Sequence, residues 1–171
     1  MFALINLNKQ AMKRQIRWSV FATLLLILSL TGCKRDLGAF EFSYSVESVD
    51  NFKVMLSMDS EKHYKVERID YFMDNFARKR DPKVVEGVLT DDEYAELSQL
   101  IADVDFFSMK DSYGFESTPK NGMNDLVYQI SLSSGGKEKF ISIRSADKQV
   151  FPQSFIELVK RITVFNDQKL K

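Results

Sequence analysis

Apolar and polar positions alternate with a period of two in the early part of the chain. Phe40, Phe42, Tyr44 and Val46 are separated by Glu41, Ser43, Ser45 and Glu47, and Phe52, Val54, Leu56 and Met58 by Lys53, Met55, Ser57 and Asp59. Successive side chains of a strand point to opposite faces, so this spacing predicts two half-buried strands. Val49-Asp50-Asn51 supplies turn chemistry between them, and Ser60-Glu61 makes the next turn. Tyr64 and Val66, set against Lys65 and Glu67, begin a third strand that the pattern extends toward Met73. Asn75–Pro82 reads as a loop and Lys83–Leu89 as a short apolar strand.

The period then changes. Thr90-Asp91-Asp92-Glu93 is a capping box, in which Thr90 accepts from the third helical amide and Glu93 reaches back to the cap. Its acids also favour the positive end of the helix dipole. Tyr94, Leu97, Leu100, Ile101 and Val104 follow at helical spacing, so the helix is predicted over 91–103. Asp105–Pro119 is irregular, with Phe106, Phe107, Met109, Tyr113 and Phe115 expected to plug the edge of the core. Leu126, Tyr128, Ile130 and Leu132 alternate again, and Ser133-Ser134-Gly135-Gly136 turns the chain into a strand over Lys137–Arg144. Pro152 suits the first position of a last helix that carries Phe155, Leu158, Val159 and Ile162 on one face.

The order β-β-β-β-α-β-β-α with tight hairpins predicts an α+β domain: an antiparallel sheet of about six strands with two helices on one face and water on the other. The domain is expected over residues 40–171, preceded by residues 1–32 as a signal peptide and 33–39 as a short tether.

The first 33 residues belong to a different chemistry. They hold Lys9, Lys13, Arg14 and Arg17 and no acid, so the net charge of zero over 171 residues conceals +4 before residue 34 and −4 from residue 34 onward. Trp18–Cys33 is an uncharged run of 16 residues. As a helix it would reach about 24 Å, short of the roughly 30 Å hydrocarbon core, which disfavours a permanent span. A basic segment, an apolar segment and then small residues is the layout of a secretory signal. Met12 opens MKRQIRWSV, an alternative start of more ordinary signal length.

Leu30-Thr31-Gly32-Cys33 resembles the lipobox of bacterial lipoproteins and holds the only Cys of the chain. The resemblance implies that Leu30, Thr31 and Gly32 are read by the lipid-transferring enzyme and the lipoprotein signal peptidase. It also implies that Cys33 is thioether-linked to diacylglycerol and becomes the first residue of an acylated, palmitate-type anchor. Lys34 after the Cys, in place of the Asp that retains lipoproteins in the inner membrane, points to the outer membrane in a Gram-negative host. Lys34–Ala39 reads as linker and spans at most about 20 Å, which keeps the domain near the bilayer.

The mature domain resembles an uncharacterised domain of Bacteroidota lipoproteins, in which a hairpin pair and a helix precede an acid–Phe and Asp-x-Tyr segment, a second hairpin and a terminal helix. The matching residues are Asp105-Phe106, Asp111-Ser112-Tyr113 and the strands over 126–132 and 139–144. The cysteine pair of some members is absent. That family has no established activity, so the resemblance implies a fold and no function.

Other chemistry is sparse. Balanced charge excludes a basic nucleic-acid binder, and a single Cys and a single His exclude both a disulfide framework and a Cys/His zinc site. No cofactor is implied. Ser134–Lys137 and Ser145–Lys148 match Ser-x-x-Lys, but neither opens a helix as that motif requires, and no companion motif is present. Asn121–Asp125 offers oxygens but lacks the EF-hand spacing, and an Asn-Gly turn explains it. Arg78-Lys79-Arg80 is a compact basic cluster suited to membrane phosphates. His63, Lys65 and Glu67 share the polar face of the third strand. The reading is a lipid-anchored cell-envelope domain with a non-catalytic binding or structural role, its partner an envelope protein or glycan. The alternative is an envelope hydrolase using carboxylates or His63.

Overall fold

Strand β1 (Phe40–Ser48) lies near the middle of the sheet, with β2 (Phe52–Asp59) on one side and β6 (Leu126–Ser134) on the other, both antiparallel to it. The computed structural model describes residues 36–48, 51–71, 81–115, 126–145 and 150–171. From β2 the sheet continues to β3 (His63–Asp70) and β4 (Lys83–Val88). From β6 it continues to β7 (Lys137–Arg144) and β5 (Ser112–Tyr113), giving the order β4-β3-β2-β1-β6-β7-β5. Two helices, α1 (Asp91–Asp103) and α2 (Gln153–Lys169), complete the α+β architecture.

The alternation has its expected consequence. Phe40, Phe42, Tyr44, Leu56, Met58, Val66, Ile130, Leu132, Ile141 and Ile143 project from one sheet face into a single buried cluster with Leu97 and Ile101 of α1 and Phe155, Leu158, Ile162 and Phe165 of α2. Burying a side chain of this size contributes about 1.5–3 kcal/mol, so the alternation of residues fixes which face the helices cover. Aromatic contacts tie the layers together: Phe42 meets Phe106 at 6.1 Å, Phe40 stacks on Tyr94 at 6.3 Å, and Tyr64 meets Phe165 edge-on at 5.5 Å.

The α1 N-terminus follows the capping box. Glu93 N donates to Thr90 Oγ1 at 3.2 Å, and Thr90 N donates to Glu93 Oε2 at 3.0 Å. The β6–β7 hairpin turns through Gly135 and Gly136, both at positive φ (58° and 73°), a conformation that a two-residue hairpin demands and glycine supplies without strain. At the β2–β3 turn Lys62 adopts φ 70°, and the Asp59 carboxylate accepts from the amides of Glu61 (2.8 Å) and His63 (3.0 Å).

Several expectations are corrected. The sheet has seven strands among the described residues, not six. The extra one, β5, pairs parallel to β7 through Ser112↔Ser142 and Tyr113↔Ile143. A strand of two residues has no periodicity to read. The irregular stretch after α1 also contains a 3-10 turn at Phe106–Ser108. Of its aromatics, Phe106 is buried, whereas Phe107 and Phe115 are exposed and do not plug the core. Strand β3 ends at Asp70, and Met73 lies outside the described residues. Strand β4 is a solvent-exposed edge strand whose apolar anchor, Leu89, lies just beyond it. Pro152 is the N-cap of α2 and not its first helical residue. The buried face of α2 includes Phe165 and Asn166, while Val159 is only half-buried.

Candidate functional site

The sheet face opposite the helices is built from the alternate residues of the same strands. Register aligns them into rows: Ser43 of β1 lies between Ser57 of β2 and Ser131 of β6, Ser57 faces Lys65 of β3, and Lys65 faces Glu86 of β4. A parallel row brings Asp59, Glu41, Ser133 and Glu138 together. Short serine side chains occupy the centre of this face, and longer charged ones lie toward β3 and β4.

A groove of about 660 Å³ occupies the β1–β4 half of this face, lined by Glu41, Ser57, Asp59, His63, Lys65, Glu86 and Val88. A second, of about 530 Å³, lies over the β2–β3 and β6–β7 turns and is lined by Glu41, Asp59, Glu61 and Glu138 with Ser60, Ser133 and the two hairpin glycines. Both are lined by more acids than bases.

His63 lies in the first groove with its side chain 58% exposed. Its Nδ1 is 3.3 Å from Asp59 Oδ2 and 3.7 Å from Glu61 Oε2. Among the described residues no hydroxyl or thiol is hydrogen-bonded to the ring, so the pair has an acid and a base without a nucleophile held on the far nitrogen. Lys65 Nζ lies 3.8 Å from Glu67 Oε2, which draws it along its own strand and away from Glu86. Thus the structure brings His63 and Lys65 into one groove, while Glu67 lies outside its lining. Among the described residues no group of three or more His, Cys, Asp or Glu side chains is placed to hold a metal ion.

Charge is more tightly organised at the β2–β3 turn. Lys62 Nζ bonds Asp91 at 2.6 Å at the start of α1, and that hydrogen bond holds the Asp91 carboxyl below its ordinary range and raises the lysine. On the helix side Tyr44 is enclosed, and burial, reinforced by Tyr128, pushes its hydroxyl well above the ordinary tyrosine range. It belongs to the core and not to the groove.

The remaining sequence candidates separate cleanly. Leu30, Thr31, Gly32, Cys33, Arg78, Lys79, Arg80 and residues 121–125 lie outside the described residues. Ser134 and Lys137 face each other across the β6–β7 hairpin, and the Ser134 hydroxyl donates to Leu37 O at 2.7 Å, so it secures the start of the domain. Ser145 donates its amide to Leu126 O at 2.8 Å, and Lys148 lies outside the described residues. Glu41, Asp59 and Glu86 line the groove but were not among the sequence candidates. Their alternation was visible, but their neighbourhood depends on strand order and register.

The backbone carbonyl of Asp105 accepts from Ser108 N at 3.1 Å in the 3-10 turn that buries Phe106, Asp111 accepts from Lys139 Nζ at 2.5 Å, and the Tyr113 hydroxyl accepts from Lys110 N at 2.9 Å. Phe106 against Phe42, Asp111 through Lys139 and Tyr113 through its pairing with Ile143 therefore fasten the α1–β5 connection to the sheet. Among the described residues no helix is long and apolar enough to cross a membrane. No protein-family model matches the chain, and no curated protein matches it significantly.

Proposed function

We propose that this chain is a lipoprotein precursor, anchored through a lipid-modified Cys33, whose domain is a non-catalytic binding module of the cell envelope. The partner is an envelope protein or glycan met by the polar sheet face, with outer-membrane placement in a Gram-negative host. The observation that supports the binding role is a sheet face that no helix covers among the described residues, with its groove of about 660 Å³. Its polar side chains pair locally, Lys65 with Glu67 and His63 with Asp59 and Glu61, and among the described residues no hydroxyl or thiol is held on the His63 ring. A catalytic cleft concentrates polar groups around one reacting atom, whereas a recognition surface distributes them. The anchor rests on the signal layout and the Leu30–Cys33 string, and two or more acyl chains give the stable attachment that one does not.

Two measurements test this. The mass of the full chain expressed in a bacterium should begin at a lipid-modified Cys33, and Cys33→Ala should accumulate uncleaved precursor without lipid. Processing and membrane fractionation of Cys33→Ala like the wild type would overturn the anchor. A photo-crosslinking residue at Ser57, inside the groove, should form an adduct in intact cells that the same residue at Lys160 on α2 does not. Equal labelling at both positions would overturn the binding face.

The Asp59–His63 contact supports a second reading, an envelope hydrolase with His63 as base. Turnover of peptidoglycan, ester or peptide substrates that His63→Ala abolishes would establish it in place of the binding module.

A further inference from the structure

The sheet ends at β4, which has a strand neighbour on one side only among the described residues. Leu89 N donates to Lys62 O at 2.8 Å, and the β3–β4 register continues Gly87↔Tyr64, Val85↔Val66 and Lys83↔Arg68. Hydrogen-bonded pairs alternate along an antiparallel ladder, so Val84, Glu86 and Val88 turn their amide and carbonyl groups away from β3. All three are exposed, Val84 at 44% and Val88 at 64%. A row of backbone groups that are unpaired among the described residues, flanked by exposed β-branched side chains, is a template for another strand.

Charge decides which strand. Lys65 faces Glu86 in register, yet its ammonium lies 3.8 Å from Glu67, and Glu86 has no ion-pair partner among the described residues. A second copy of the chain is a poor occupant. The two-fold register that engages all three outward residues sets Val84 against Val88 and Glu86 directly against its own counterpart, and like charges in that position repel. Glu86 thus guards the edge against its own kind and leaves it attractive to a cation.

We propose that β4 accepts an antiparallel strand from a partner protein, an extended segment with Lys or Arg opposite Glu86 and β-branched residues opposite Val84 and Val88. This rests on the binding reading above and names the class of partner. The backbone groups of β4 supply affinity and Glu86 the selectivity.

The test uses the full processed chain in detergent and a capped peptide, Thr-Val-Thr-Lys-Thr-Val-Thr, followed by amide NMR. The expected result is saturable shifts at the amides of Val84, Glu86 and Val88, with affinity about fivefold weaker when the peptide lysine is glutamate. Glu86→Pro removes an outward amide without breaking the β3 ladder and should abolish binding while the remaining spectrum is retained. Glu86→Lys, which asks nothing of the backbone, should reverse the preference between the two peptides. Absence of shifts at millimolar peptide would overturn the proposal. Shifts confined to Ser57, His63 and Lys65 would overturn the edge and leave the groove as the binding face. Self-association that Glu86→Pro abolishes would also overturn it, in favour of a second copy.

Discussion

Asn166 lies at 3% exposure on the inner face of α2, and its Oδ1 has no hydrogen-bond partner among the described residues. A buried polar atom without a partner forfeits its hydration, whereas an apolar group of the same shape does not. Asn166→Leu should therefore leave the urea midpoint unchanged or raise it, and Asn166→Asp should lower it sharply by burying a charge. A clear loss of stability in Asn166→Leu would show that the amide is doing structural work. Thr90 is the opposite case, because both bonds of its capping box are made. Thr90→Ala should cost about 1 kcal/mol in equilibrium unfolding. The cap was legible because it is a local pattern of four residues. Asn166 was not, because it continues a helix face whose burial depends on what lies across from it.

Between elements, two ion pairs join α1 to α2. Arg161 holds Glu96 with two bonds of 2.7 Å, and Lys169 holds Glu93 at 2.8 Å while lying over the rings of Tyr64 and Phe165. The Arg161 hydrogen bond lowers the Glu96 carboxyl below its ordinary value of 4.5, and the Lys169 hydrogen bond, aided by the Thr90 amide, does the same for Glu93. A carboxyl whose folded value is depressed adds stability that is complete above the ordinary value and disappears as pH falls through the lowered one. Urea midpoints should therefore hold from neutrality to about pH 5 and decline below it, and Glu96→Gln should flatten part of that decline. Both pairs are partly exposed, so salt should shrink the effect. An acid limb identical in Glu96→Gln and wild type would show that this pair contributes nothing. The individual helices follow from their periodicity, but their pairing does not, because Glu96 and Arg161 are 65 residues apart.

At the scale of the whole molecule, β1 carries the architecture. It pairs with β2, its neighbour in sequence, and with β6, which arrives after α1 and the β5 segment, so the two halves of the sheet share one strand. Unfolding followed by far-ultraviolet circular dichroism and by tyrosine fluorescence should superimpose as one transition, and Phe42→Ala should lower both together by about 3–5 kcal/mol. Separate transitions would mean that the halves are stable independently. Local chemistry in the sequence determined the strands with clear alternation, the capped helix, the glycine hairpin and the face each strand buries, because each depends on residues within a turn or two of one another. Only the tertiary structure decided that β1 joins β6, that β5 adds to β7 in parallel, that β4 is an edge of the sheet among the described residues, and that Glu41, Asp59, His63, Lys65 and Glu86 share a groove. Those relations join residues far apart in the chain, and strand alternation, which fixes the face of a side chain, leaves its cross-strand neighbour open until the register is set.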